Sequence, residues 1–277
     1  MSVKWNSVVP VLLGLLIAIL LGCCKKPQPL PTMTEVAFSK PLQVSETEFA
    51  AEVSGLCLSE DGDFLWGVGD KGELFKIQFD GTYTKCGFID ADLEGITLDP
   101  STGDLYLAIE PDSVFKVSAP EYSVHTTLFG VADAKEMGNS GIEGIAWHNG
   151  SLCLGAQTDA MLWQVSLDGQ VQDKKSLCTV TSTLSEVADL CYDPERDFLW
   201  VLDSRGKSEK HPERLPYTLY LFNGEATQLL ATYDLSAFAN INPEAVCIDR
   251  KNGCIWVADD CGKKHPTILH KILFSDL

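Results

Sequence analysis

Basic side chains are scarce in this chain: 21 Lys and Arg stand against 39 Asp and Glu, a formal charge of -18 over 277 residues. That balance argues against a nucleic-acid partner, because neutralising phosphates and releasing their counterions takes a basic surface. Cations, or a cationic surface, suit it better. Histidine is also rare, with His125, His148, His211, His265 and His270 scattered along the chain, which points away from zinc. No Gly-x-Ser-x-Gly occurs, so the nucleophile elbow of the α/β-hydrolases is missing. Long apolar runs are lacking too. The run over residues 8–21 is short for a membrane span and of the right length for the apolar centre of a secretory signal.

That run follows Lys4 and ends in Leu20-Leu21-Gly22-Cys23-Cys24. The Leu-Leu-Gly-Cys ending resembles the lipobox of bacterial lipoproteins, in which the cysteine is acylated and becomes the mature N-terminus. Residues 1–22 then form a signal peptide, and Cys23 carries the lipid. Residues 23–34, with prolines at 27, 29 and 31, make an extended tether. An uncleaved signal anchor is the competing reading. Residues 35–277 are left for the folded domain.

What the rest of the chain has is a repeat. Asp92-Leu93-Glu94-Gly95-Ile96-Thr97-Leu98-Asp99-Pro100 returns as Gly141-Ile142-Glu143-Gly144-Ile145-Ala146-Trp147, as Val187-Ala188-Asp189-Leu190-Cys191-Tyr192-Asp193-Pro194 and as Asn242-Pro243-Glu244-Ala245-Val246-Cys247-Ile248-Asp249. A fainter first copy is Val53-Ser54-Gly55-Leu56-Cys57-Leu58. Ser54, Glu94, Glu143, Ala188 and Glu244 share one column, with spacings of 40, 49, 45 and 56 residues. This is the period of a four-stranded propeller blade. Each copy reads as strand, turn, strand, loop, strand, with turn signals such as Glu60-Asp61-Gly62-Asp63 and His148-Asn149-Gly150. Asp99, Asp193 and Asp249 serve as turn formers, and Asp203 and Asp259 as loop caps. The last blade lacks a fourth strand, and residues 35–44 are the segment placed to supply it and cover the open edge. The expected fold is an all-β, five-bladed propeller; six blades with one degenerate is the alternative.

Ten cysteines in an exported chain first suggest disulfides. Cys57, Cys191 and Cys247, however, share a column with Thr97 and Ala146, a place for a compact buried side chain. Cys254 and Cys261 lie too far apart along an extended strand to bridge. Few or no disulfides are expected.

The column that opens each inner strand lies at one mouth of the central channel. The second strand runs back to the same mouth, and four residues past Trp66, Tyr106, Cys153, Trp200 and Trp256 come Asp70, Glu110, Gln157, Ser204 and Asp260. The two columns are 16, 16, 14, 16 and 16 residues apart. One mouth therefore gathers Glu94, Glu143 and Glu244 in a first ring. Asp70, Glu110, Gln157 and Asp260 form a second polar ring. Carboxylates converging on an axis repel unless they take up protons or a cation. An all-oxygen set suits a hard ion, and Ca²⁺ better than Mg²⁺. The competing reading is structural: glycines required by crowding at the axis, with the glutamates hydrogen-bonded to neighbouring backbone.

These motifs, behind a lipoprotein signal and in this order, resemble the SdiA-regulated family of bacterial envelope proteins. The resemblance implies a five-bladed propeller related to NHL-type repeats, a calcium site, membrane association and no settled activity. It makes Glu94, Glu143 and Glu244 the repeated acidic residues. Ala188-Asp189 in the fourth repeat and Gln157 depart from the pattern.

Two functions follow. One is a lipid-anchored, calcium-binding module of the cell envelope that presents its rim to a protein or glycan partner, with loops 131–140 and 205–216 as contact surfaces. The other is a calcium-dependent hydrolase of lactonase or phytase type, with Asp70, Glu110 or Asp260 as general base.

Overall fold

The computed structural model describes residues 29–45, 48–49, 52–123, 125–205, 217–237, 242–260 and 266–277. Cys23, the expected signal peptide, the first half of the expected tether and all of the 205–216 loop except Arg205 lie outside them. Among the described residues no helix is long and apolar enough to cross a membrane.

Five four-stranded antiparallel sheets form the blades of a propeller. Blade one is Val53–Leu58, Leu65–Gly69, Glu73–Ile77 and Tyr83–Phe88; blade two is Leu93–Leu98, Leu105–Ile109, Ser113–Val117 and His125–Gly130. Blade three is Ile142–His148, Ser151–Ala156, Met161–Val165 and Val171–Ser176; blade four is Asp189–Asp193, Phe198–Asp203, Thr218–Asn223 and Leu229–Asp234. Blade five takes Pro243–Asp249, Cys254–Asp259 and Ile268–Ser275 from the C-terminal end and Thr32–Pro41 from the N-terminal end.

That closing strand pairs antiparallel with Ile268–Ser275, from Thr32 opposite Ser275 to Pro41 opposite Ile268. It begins at Thr32, within the stretch that the sequence assigns to the tether. Contacts start earlier still: the Tyr233 hydroxyl donates to the Pro31 carbonyl at 2.6 Å, and Arg196 donates to that of Pro29. The sequence also gave no sign of the short hairpin of Gln43–Ser45 and Glu48–Phe49, or of the single helical turn Ala132–Lys135 inside the 131–140 loop.

Hydrophobic packing joins the five blades into a ring. The buried apolar residues fall into five clusters, one between each pair of neighbouring blades. The cluster that closes the ring joins Val53, Leu56 and Phe75 of blade one to Ala245, Trp256 and Leu269 of blade five. The second strands of blades one and two are buried along their whole length, because blades cover them on both faces. This is why their sequences lack the polar-apolar alternation of a half-exposed strand.

Turn chemistry sets the hairpins. Asn149 and Gly150 both have positive φ, 51° and 87°, as a two-residue turn matched to the strand twist requires. Asp99 accepts the Ser101 N–H at 2.8 Å, and Asp193 accepts that of Glu195 at 3.1 Å. Asp203 accepts the Ser185 N–H at 2.7 Å, as a loop cap does.

At the axis the inner strands nearly touch. A Cβ on Gly95 would stand 2.7 Å from the Glu143 carbonyl oxygen, and one on Gly55 would stand 2.7 Å from the Gly95 Cα. Gly95→Ala therefore forces two backbones apart and is expected to cost about 2 kcal/mol. That corresponds to a fall of roughly 4–8 °C in melting temperature for a domain of this size. An unchanged melting curve would mean that the strands stand further apart.

The inward edges of the inner strands have no fifth-strand partner, and side chains satisfy several of their N–H groups. Thr97 Oγ1 accepts from Trp147 at 2.9 Å. Asp189 reaches furthest, accepting from Val246 at 2.8 Å, from Leu190 at 2.8 Å and from Leu56. One carboxylate thus joins blades four, five and one.

Candidate metal centre

Four blades build the channel mouth with the same backbone bond. The N–H groups of Asp70, Glu110, Gln157 and Asp260 donate to the carbonyls of Glu52, Asp92, Gly141 and Asn242, at 3.3, 3.1, 3.1 and 2.7 Å. Each acceptor lies two residues before the inner-strand column. The second strand of each blade is thereby pinned beside the start of its first, which places the two rings at one end of the axis. Blade four differs: the Ser204 hydroxyl donates to Glu186 Oε1 at 2.8 Å.

The side chains at this mouth are not evenly spread. Carboxylate oxygens of Asp92, Glu94 and Glu110 lie within 4.8 Å of one another, all on blade two. Glu94 also hydrogen-bonds Glu143 of blade three, an arrangement that needs a proton between two carboxyls. Asp70 accepts from the Ser54 hydroxyl. Glu244 lies across the mouth, where its Oε1 accepts from the Asn242 amide. Of the three first-ring glutamates, Glu94 and Glu143 are thus in direct contact, while Glu244 acts on Glu94's neighbours only through its charge.

Residues two positions ahead of the column, Glu52, Asp92 and Glu186, belong to the mouth but escaped the sequence reading. They precede the strands, where the repeat is weakest, although their constant offset from the column was a usable signal. Two of them are neutralised. Lys71 Nζ lies 2.5 Å from Glu52 Oε2, and Arg205 Nε pairs with the buried Glu186. In the fourth repeat Ala188 offers no ligand atom, and the acid beside it, Asp189, turns into the channel below.

Electrostatics at the mouth run against ionisation. Burial, then the charges of Glu143, Asp70, Asp92 and Glu110, push the Glu94 carboxyl up to about 10. Burial and the charges of Glu110 and Glu186 push Glu143 up to about 8, against the pull of its bond to Glu94. Burial and the nearby Asp260, Asp70 and Glu143 raise Glu244 to about 9. Asp70, Asp92 and Glu110 are also raised, burial again being the first cause. Among the described residues no Lys or Arg pairs with Glu94, Glu143 or Glu244. Such a set either holds protons or takes a cation. Its donors are all oxygens, which fits a hard divalent ion and not a thiophilic one.

Many solved structures share the fold. A protein of unknown function from Bacteroides thetaiotaomicron superposes with a TM-score of 0.54 at 13% identity, over 79% of this chain and 58% of that one. Glutaminyl cyclase from Myxococcus xanthus gives 0.58 at 13% identity, over 88% and 96%. A luciferin-regenerating enzyme gives 0.51 at 11% identity, over 85% and 95%. At these identities the likeness is one of fold, a β-propeller, and the chain spans 58% of the length of the first. No protein-family model and no curated protein matches the chain.

Proposed function

We propose that the acidic mouth binds one calcium ion, with Asp92, Glu94, Glu110 and Glu143 as the central oxygen donors and Glu244 facing them. In this reading the chain is a lipid-anchored propeller of the cell envelope, of the SdiA-regulated kind. Cys23 carries the lipid, and the rim of the domain meets a protein or glycan partner. The observation that supports the calcium site is the meeting of Asp92, Glu94 and Glu110 within 4.8 Å, with Glu143 bonded to Glu94 and, among the described residues, no Lys or Arg paired with Glu94 or Glu143. An ion would replace the protons that this cluster otherwise needs.

The test is calorimetric titration of chelator-treated protein with Ca²⁺. One site per chain is expected for the wild type, with at least a tenfold weaker affinity in Glu94→Gln/Glu143→Gln. Equal heats from both proteins would end the calcium reading.

A calcium-dependent hydrolase is the second reading. It is favoured by Asp70, a mouth carboxyl whose affinity for protons is raised by burial, the direction that suits a general base near neutral pH. The propeller fold itself favours neither reading, since it hosts unrelated activities. Lactones, aryl esters and phosphate esters assayed with Ca²⁺ separate the two. Turnover that disappears in Asp70→Asn would move the assignment to an enzyme, and background rates throughout would leave the binding module.

A further inference from the structure

The opposite end of the channel has a different chemistry. Below Asp189 the channel opens into a cavity of about 180 Å³, lined by Cys57, Cys191 and Cys247 together with Thr97, Trp147 and Tyr192. The three cysteines come from blades four, five and one, which are consecutive around the ring, and they occupy one repeat column. Two of the sulfurs meet the main chain of the same residue: Cys191 Sγ accepts the Ile248 N–H, and Cys247 Sγ lies 3.6 Å from the Ile248 carbonyl oxygen. All three are free thiols. The rest of the lining is mainly Leu and Ile, and the Thr97 hydroxyl is already engaged by Trp147.

We infer that this chamber is a binding site for a soft monovalent cation, Cu(I) or Ag(I), held by the Cys191 and Cys247 sulfurs with Cys57 as a third ligand. Soft thiolate donors in a mainly apolar setting select such ions over the hard ones that suit the other mouth. Among the described residues the only trio of ligand atoms within 4.8 Å is the carboxylate one. Cys191 and Cys247, whose sulfurs meet the main chain of one residue, are the pair assigned to linear coordination, with Cys57 joining after rotation about its side-chain bond. Each sulfur that binds gives up its proton to solvent. Burial pushes all three thiols well above their ordinary range, which slows their oxidation while no metal is present and makes metal uptake release protons.

The test uses the full-length chain in detergent with Cys23, Cys24, Cys86, Cys178 and Cys261 replaced by serine, so that other accessible thiols do not compete. Cu(I) is supplied anaerobically as its bicinchoninate complex. One Cu(I) per chain is expected to transfer, with Cys191→Ser and Cys247→Ser each weakening the transfer at least 100-fold and Cys57→Ser about tenfold. If the cysteine variants do not fold, the parent alone decides. One equivalent of Cu(I) is expected to raise its melting temperature by several degrees, with sulfur as the only neighbour in X-ray absorption. No transfer to the parent, no melting shift, or oxygen and nitrogen neighbours around the copper would overturn the site. Failure of the calcium titration leaves this test untouched, because the two sites share no residue.

Discussion

In chelator, the wild-type domain is expected to melt at a lower temperature at pH 8 than at pH 5, and saturating Ca²⁺ is expected to remove that difference. The sign follows from proton linkage. Burial, then the neighbouring carboxylates, push Glu94, Glu143 and Glu244 up to about 10, 8 and 9 in the folded chain, against 4.5 in an ordinary glutamate. From about pH 4.5 upward the unfolded chain has released protons that the folded chain still holds, so stability falls as the pH rises through the folded values. These carboxyls act on one another and reach solvent, so the loss between pH 5 and 8 is discounted to about 3 kcal/mol. That is roughly 6–12 °C in melting temperature. Glu94→Gln/Glu143→Gln removes two of the repelling groups. In chelator at pH 8 it should be more stable than the wild type, with the slope against pH reduced by at least half and no response to Ca²⁺. A wild-type domain that gains stability from pH 5 to pH 8 in chelator would show that these carboxyls ionise freely, and the basis for an ion at the mouth would be gone.

The blades were legible because a propeller repeats one physical problem five times. Every inner strand needs a small residue where backbones approach at the axis, and Gly55, Gly95, Gly144 and Ala245 mark that place in four copies. Every hairpin needs a turn former, and Asp99, Asp193 and Asn149-Gly150 mark those. The absent fourth strand of the last blade showed that the ring closes with its N-terminal segment. What could not be read was where that strand starts, since Thr32 and Met33 look no different from tether residues until they face Ser275 and Phe274.

The residues of the acidic mouth could be placed from the sequence but not grouped. Counting along strands brought Glu94, Glu143, Glu244, Asp70, Glu110, Gln157 and Asp260 to one mouth, because strand rise and antiparallel return fix which ends meet. Which carboxylates touch depends on side-chain direction and on loop residues before the strands, where the repeat spacing carries no information. Asp92 joins Glu94 and Glu110 from such a loop, while Lys71 and Arg205 remove Glu52 and Glu186 from the uncompensated set. The cysteine column was read as compact packing, and burial supports that reading for Cys247, which is 4% exposed. That the thiols of three successive blades face one cavity was visible only once the ring had closed.

Asp189→Ala is expected to cost the most of any single change at the axis. The side chain is 1% exposed, and its loss leaves the N–H groups of Val246 and Leu56 on two other blades without their acceptor. Each buried donor left unsatisfied costs about 1–3 kcal/mol. The sum, on the order of 3–5 kcal/mol, corresponds to a fall of roughly 6–20 °C in melting temperature. Asp189→Asn keeps one carboxamide oxygen as acceptor and should lose less than half as much. Chemical denaturation of the three proteins ranks them directly, and Asp189→Ala melting within 3 °C of wild type would mean that water takes the place of the carboxylate. The calcium titration adds a second readout. Asp189 lies below the mouth with its oxygens bonded to backbone, so the alanine variant should bind Ca²⁺ with unchanged affinity at a temperature where it is folded. A loss of binding there would make Asp189 part of the ion site and would explain why, in the fourth repeat, the acid stands one residue further on than in the others.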